Sequence, residues 1–277
     1  MTGSNTYSNY RHQADVAHAY TIFKENGIPA ENIIYMAYDD VADSSSNPFP
    51  GQIFNQPNGD NVYFQDDISY SGRDVTADMF LAVLKGDSSY TGGRPVLKST
   101  SKSKVFVYYA DHGATGFVGV PNGNGDYLYA DQLSDALDYM EANSMYSELV
   151  FYLEACESGS MFPNLQDNSN IYAMTASNAY LSSWAAYCGT DARVDGKLIG
   201  SCLGDLFSVN WMEDADKANM GKETLQQQYS TVKAETTRSH VLQWGEKDWT
   251  NEPIGDFESG RINAVEEEDT TASWWSK

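Results

Sequence analysis

"KVFVYYADHG" at residues 104–113 and "ELVFYLEAC" at residues 148–156 are two apolar runs, each ending in residues capable of chemistry, with "ADQLSDALDYMEAN" (130–143) between them. Both runs are apolar along their whole length, the pattern of strands buried on two faces, whereas the segment between them has helical spacing. The order is therefore β-α-β, which predicts neighbouring strands in a mostly parallel sheet covered by helices on both sides.

The rest of the chain extends this pattern. "YRHQADVAHAYTIFKENG" predicts a helix over 10–26 closed by Gly27, and "NIIYMAY" (32–38) reads as a buried strand. From there to Tyr70 the density of Pro, Gly, Asn and Asp predicts a long loop, of the kind that usually has a role. Thr76 is placed to cap a helix whose apolar face is Met79, Phe80, Val83 and Leu84, with Gly86 closing it. "NIYAMTAS" (170–177) follows as a strand, "TLQQQYSTVKAETT" (224–237) as a polar helix and "SHVLQWG" (239–245) as a last strand. His18 and His240 have no evident partners and read as a helix-face and a strand residue. The predicted main domain covers 1–250. The acidic and polar composition from 251 to 277 predicts a linker or activation segment.

Among the 277 residues, 41% are hydrophobic, enough for a sizeable core. Seventeen Lys and Arg against 39 Asp and Glu give a formal charge of −22, which repels nucleic-acid phosphates and anionic lipid headgroups. Nucleic-acid binding is excluded on that ground. The self-repulsion eases as carboxylates protonate, so an acidic or secreted setting fits, as does a plainly well-solvated surface. No run reaches the length of a membrane span, no signal peptide is recognisable, and no Asn-X-Ser/Thr acceptor occurs. The three cysteines, Cys156, Cys188 and Cys202, permit at most one bridge and leave at least one thiol free.

In an open parallel sheet, reactive groups collect beyond the carboxyl ends of the strands. His112 follows one predicted strand and Cys156 the other. A histidine there can take up the thiol proton or stabilise the thiolate that attacks a carbonyl. Gly113 lets the backbone come close, and its N–H, with that of Cys156, can face a developing oxyanion. The alternative for Cys156 is an inert core thiol.

"NYRHQADVAHAY", "GIP", "YDDVA", "NPFPG", "NGDNVY", "DHGATG", "FYLEACESGSM", "CLGDLFSVNWMED" and "KETLQQQY", in this order from residue 3 to about 245, resemble the legumains, the asparaginyl endopeptidases called vacuolar processing enzymes in plants. The resemblance implies a caspase-like α/β fold: a three-layer αβα sandwich around a six-stranded, mostly parallel sheet. It implies Cys156 as nucleophile, His112 as base and Asn9 as the residue orienting the histidine, with Gly113 and Cys156 amides as oxyanion hole. Arg11, Glu154 and Asp205, with His12, Ser182 and Ser183 nearby, would form the specificity pocket. A pocket holding both signs can read both ends of a carboxamide; an ion pair of purely structural value is the other reading of Arg11 and Glu154.

The implied function is hydrolysis of peptide bonds after Asn, and after Asp at acidic pH, with no cofactor and no metal. Peptide ligation through the same acyl-enzyme, or a transamidase of the kind that attaches GPI anchors, is the alternative. The implied partners are peptide and protein substrates, a C-terminal prodomain and cystatin-type inhibitors, with neither nucleic acid nor membrane. The implied setting is vacuolar, lysosomal or secreted. The resemblance also implies a Cys188–Cys202 bridge, although the intervening loop lacks the proline found in plant members and free thiols stay open, and it marks Asp111 as a site where a succinimide can form. One departure is expected to matter. Legumains carry an apolar strand directly before the position of Gly3-Ser4, in the sheet interior beside the histidine-bearing strand, and this chain begins "MTGSN".

Overall fold

The computed structural model describes residues 1–121 and 127–260. A short 3-10 turn (Tyr7–Asn9) leads into α1 (Tyr10–Glu25), and α2 (Ala77–Leu84) follows the long loop. Next come β1 (Lys104–Ala110), three short strands β2 (Gly113–Ala114), β3 (Phe117–Gly119) and β4 (Tyr127–Tyr129), then α3 (Ala130–Ala142), β5 (Glu148–Glu154) and β6 (Ile171–Thr175). The short strands β7 (Ala185–Ala186), β8 (Arg193–Val194), β9 (Lys197–Leu198) and β10 (Gly204–Asp205) precede α4 (Leu206–Lys217), α5 (Leu225–Glu235), β11 (Leu242–Gly245) and α6 (Gly255–Glu258).

The main sheet has the order β1-β5-β6-β11. β1 and β5 are parallel from Lys104 opposite Glu148 to Ala110 opposite Glu154, β5 and β6 are parallel, and β11 closes the edge antiparallel to β6. Both faces of each central strand are buried, which explains the unbroken apolar runs. Tyr108, Ala110, Val150, Tyr152, Tyr172 and Met174 pack into one core with α1, α4 and α5. Val105, Val107, Tyr109, Leu149, Phe151 and Leu153 pack into the other with α2 and α3. On the first face Trp211 of α4 sets its ring edge-on to Tyr108 and Tyr152, with centroids 5.2 and 5.5 Å away.

Two of the six strand positions implied by the resemblance are rudimentary. Beside β1 lies Met1–Gly3: Gly3 N–H donates to Ala110 O at 3.0 Å, and Ala110 N–H to Met1 O at 3.1 Å. On its far side Thr2 N–H donates to Met36 O at 2.9 Å. The predicted strand over 32–38 is thus reduced to one isolated bridge, Met36 with Tyr70, flanked by bonds from Tyr70 N–H to Tyr35 O at 3.2 Å and from Ala37 N–H to Tyr70 O at 3.0 Å.

Other boundaries shift less. The strand read as 104–113 stops at Ala110, and the last strand begins at Leu242, so exposed His240 lies before it. Thr76 caps α2, its hydroxyl accepting Met79 N–H at 3.1 Å. Thr224 and Gln227 form a reciprocal capping box on α5. At the C-terminal end Ile254 and Phe257 are buried, and Lys104 binds Glu148, Glu252 and Asp256, tying α6 to β1 and β5. Residues 261–277, most of the segment expected to be a linker, lie outside the described residues. No described helix is long and apolar enough to cross a membrane.

Candidate active site

The parallel register of β1 and β5 fixes the geometry of the site. Asp111 N–H continues the ladder to Glu154 O at 3.0 Å, and His112 and Cys156 each come two residues after the last strand pair, Ala110 with Glu154. There the chains press together: a Cβ on Gly113 would lie 2.5 Å from Cys156 O and 3.0 Å from Ala155 Cβ, a space only glycine can share. After Cys156 the chain reverses through Glu157, whose φ of 50° is unusual for a non-glycine residue. This leaves the half-buried, unbridged Cys156 at the sheet's edge, with Sγ 3.8 Å from Ser183 O.

The start of α1 supplies the second wall. Asn9 Oδ1 lies 2.8 Å from His112 Nε2, and Asn9 Nδ2 donates to Asn5 O at 2.9 Å, which fixes the amide's orientation. The exposed His112 ring meets His12 edge-on at 4.8 Å. Partial desolvation lowers the pKa of His112, opposed by the charge of Asp111. His12 is buried between Ser4, Asp111 and Asp205, with Nδ1 2.7 Å from Ser4 Oγ, and burial pushes its pKa down to about 3. It is a neutral spacer. His12, Asp111 and His112 offer ligand atoms within 4.8 Å of one another, but His12 already meets Ser4 and His112 already meets Asn9, an arrangement that uses the nitrogens for positioning.

The acids that the sequence singled out converge beside this pair. Arg11 Nε donates to Asp205 Oδ1 at 2.9 Å. Glu154 Oε2 accepts the Ser208 amide at 3.0 Å and its hydroxyl at 2.9 Å. Glu154 Oε1 and Asp205 Oδ2 are buried and have no hydrogen-bond partner. Desolvation, aided by Asp205, pushes Glu154 up to about 8, so it carries a proton at neutral pH. Desolvation likewise raises Asp111 to about 7. The arrangement thus combines a cation, an acid paired to it and a protonated acid: donors and an acceptor within a small volume.

Of the residues singled out, Asn9, Arg11, His12, His112, Gly113, Glu154, Cys156, Ser183 and Asp205 lie in this one region. Ser182 is exposed, and its carbonyl takes the Ser177 hydroxyl at 3.4 Å. Cys188 and Cys202 are joined in a disulfide that closes the loop ahead of Asp205. His18 is not partnerless: its ring nitrogens lie 2.9 Å from Asn55 Oδ1 and 3.1 Å from Asp216 Oδ2. The reading of an unpartnered helix face fails because Asn55 comes from the long loop and Asp216 from α4. Ser208 and Asp15 escaped the sequence reading, although each stands one helical turn from a residue that did not, Asp205 and Arg11.

The fold is that of a caspase: the structure aligns with Caspase-1 from Spodoptera frugiperda at a TM-score of 0.50, over 94% of this chain and 88% of that one, at 9% identity. The sequence narrows this further. Residues 1–260 match the Peptidase C13 family, and the chain belongs to it. It is 47% identical to legumain of Mus musculus over 267 residues, 95% of this chain and 59% of that protein. It is 48% identical to the vacuolar-processing enzyme of Vicia sativa over 253 residues, covering 89% of this chain and 51% of that protein. The chain thus spans little more than half the length of the curated relatives it matches.

Proposed function

We propose that this protein is a cysteine endopeptidase that cleaves on the carboxyl side of asparagine. The observation that carries the reading is the β1–β5 register, after which His112 and Cys156 follow at equal offsets from the last pair, with Gly113 against the Cys156 backbone. In this reading His112, oriented by Asn9, accepts the thiol proton, and Cys156 Sγ attacks the substrate carbonyl carbon. The amides of Gly113 and Cys156 hold the oxyanion, and the protonated His112 returns its proton to the departing amine. Water then hydrolyses the thioester, regenerating the thiol.

The pocket chemistry supports asparagine. Its carbonyl oxygen accepts from Arg11 and from the proton on Glu154, while its NH₂ group donates to the unpartnered Asp205 Oδ2. An aspartate carboxylate would instead meet Asp205 with like charge, so cleavage after Asp belongs to acidic pH, where the substrate carboxyl is protonated. The names of its relatives favour peptide and protein substrates and a vacuolar or lysosomal setting. The deciding test is a fluorogenic peptide with Asn before the scissile bond, assayed with wild type and Cys156→Ala in the presence and absence of an added amine. Turnover lost in the variant supports the reading, and activity within tenfold of wild type refutes it; product joined to the amine would assign ligation.

A further inference from the structure

Behind Asp205 runs a buried polar chain that the proposed chemistry does not use. Arg11 and Asp15 are four residues apart on α1 and therefore share a face. Arg11 takes the side chain of Asp205, at 2.9 Å from Oδ1. Asp15 takes its backbone: Asp205 N–H donates to Asp15 Oδ2 at 3.2 Å and Oδ1 at 3.3 Å. Asp15 Oδ1 also accepts Asn55 Nδ2 at 2.8 Å, and Asn55 Nδ2 reaches Leu203 O at 3.0 Å. Both ends of Leu203–Asp205 are thus held from one helix and one loop residue. Gly204 between them makes room, since a Cβ there would lie 2.9 Å from Asp15 Oδ1 and 2.9 Å from Asn55 Nδ2.

We propose that Asp15 is a positioning residue of the substrate pocket, which with Arg11 grips Asp205 at two points and so sets the affinity for the asparagine side chain. Asp15 is fully buried and acts on substrate only through Asp205. A buried carboxylate this close to a second one is costly, and a stabilising contact alone would be served better by an apolar side chain. What the carboxylate adds is two acceptor atoms in the plane that the Asp205 amide and Asn55 require. The grip also has reach: Asp205 pairs with Ala185, and Leu206 N–H donates to Trp184 O at 2.8 Å, so the strand carrying Ser183 past Cys156 is referenced to the same point.

The inference rests on the asparagine reading, and the experiment separates the two. Wild type, Asp15→Ala, Asp15→Asn and Asn55→Ala are compared by kcat and KM on an Asn peptide, with active sites titrated by a thiol alkylator. The alkylation rate of Cys156 by iodoacetamide, which needs no pocket, is the control. For Asp15→Ala, KM should rise at least about tenfold with kcat per active site within about threefold, and the alkylation rate should be unchanged. Asp15→Asn, which keeps an acceptor oxygen, should return KM to within about threefold of wild type. Should the alanine variant not fold, Asn55→Ala, which spares both carboxylates and removes their tether together with a contact to His18, should raise KM by about threefold or more. A residue of merely structural value would lower the melting temperature and the titratable fraction but leave KM alone. An unchanged KM in folded Asp15→Ala or in folded Asn55→Ala, or Asp15→Asn no better than alanine, overturns the inference. A wild-type protein that does not cleave after Asn overturns the functional reading and the inference with it.

Discussion

The α-carbon of Gly113 faces the carbonyl oxygen of Cys156 so closely that a methyl group on it would stand 2.5 Å from that oxygen. Since the obstacle is backbone on both sides, Gly113→Ala has to part the two strand ends, displacing the amides proposed for the oxyanion. Loss of one such donor costs about 10²–10³ in rate, and kcat should fall by at least that factor. Steady-state kinetics alongside a melting curve checks this: a folded Gly113→Ala protein with kcat within tenfold of wild type would show that the contact does not frame the oxyanion.

Glu154 and Asp205 should respond differently to loss of charge. Burial pushes Glu154 up to about 8, so it is neutral at assay pH and Glu154→Gln should change kcat/KM for Asn by less than about fivefold. Asp205→Asn removes the like charge that an aspartate carboxylate would meet and should narrow the preference for Asn over Asp by at least about tenfold near pH 6. In wild type the same ratio should move about tenfold toward Asp between pH 6 and 4, as substrate aspartate, with an ordinary pKa near 3.9, begins to protonate. Matched Asn and Asp peptides measured across that range decide the matter, and a flat ratio would refute the pocket assignment.

Stability should fall as pH rises from acid to mildly alkaline values. Glu258 is fully buried, neither of its oxygens has a hydrogen-bond partner, and desolvation raises it from the ordinary 4.5 to about 8. The native state then holds a proton that the unfolded chain releases, so the contribution is complete below about 4.5 and is lost through pH 8, at about 1.4 kcal/mol per pKa unit. Glu154 acts in the same direction over the same window. His12 opposes them only at low pH: with its pKa down at about 3, folding costs more as pH drops below the ordinary 6.5. The melting temperature should therefore be at least about 5 °C higher at pH 5.5 than at pH 8. Glu258→Gln should recover part of that difference at pH 8 and change little at pH 5.5. Equal melting curves for the variant and wild type at pH 8 would contradict this account.

The Cys188–Cys202 bridge closes a short loop and should contribute about 3 kcal/mol by the chain-entropy relation. A Cys188→Ser, Cys202→Ser double variant should melt several degrees lower while Cys156 keeps its rate of alkylation. Thiol counting in denatured, unreduced protein should find Cys156 alone; three reactive thiols would rule out the bridge.

How much of this was legible along the chain depended on the range of the interactions. The strands ending at Ala110 and Glu154 were readable because burial on two faces leaves a local mark, an unbroken apolar run. Thr76 was readable because a cap acts three residues away, on Met79. The segment 32–38 misled for the converse reason: its residues are those of a buried strand, but a ladder needs a neighbour, and it meets a single bridge to Tyr70 on one side and one hydrogen bond from Thr2 on the other. His112 and Cys156 could be picked out as candidates because strand ends concentrate chemistry. The polar chain from Asp216 through His18, Asn55 and Asp15 could not, since its members come from two helices and a loop far apart in sequence.

The register of β1 and β5 also separates what must be kept from what is free to vary. The distance between His112 and Cys156 is measured along a ladder of seven paired residues on each strand, from Lys104 with Glu148 to Ala110 with Glu154. The connection leading from one strand to the other sets no part of that distance. Insertions or deletions between β3 and β5 that preserve the ladder should therefore be nearly silent in catalysis. A single residue gained or lost inside either strand shifts one partner by about 3.3 Å and turns its side chain to the opposite face. Evolution of this protein can lengthen its loops cheaply; its two central strands behave as a ruler whose divisions cannot be moved.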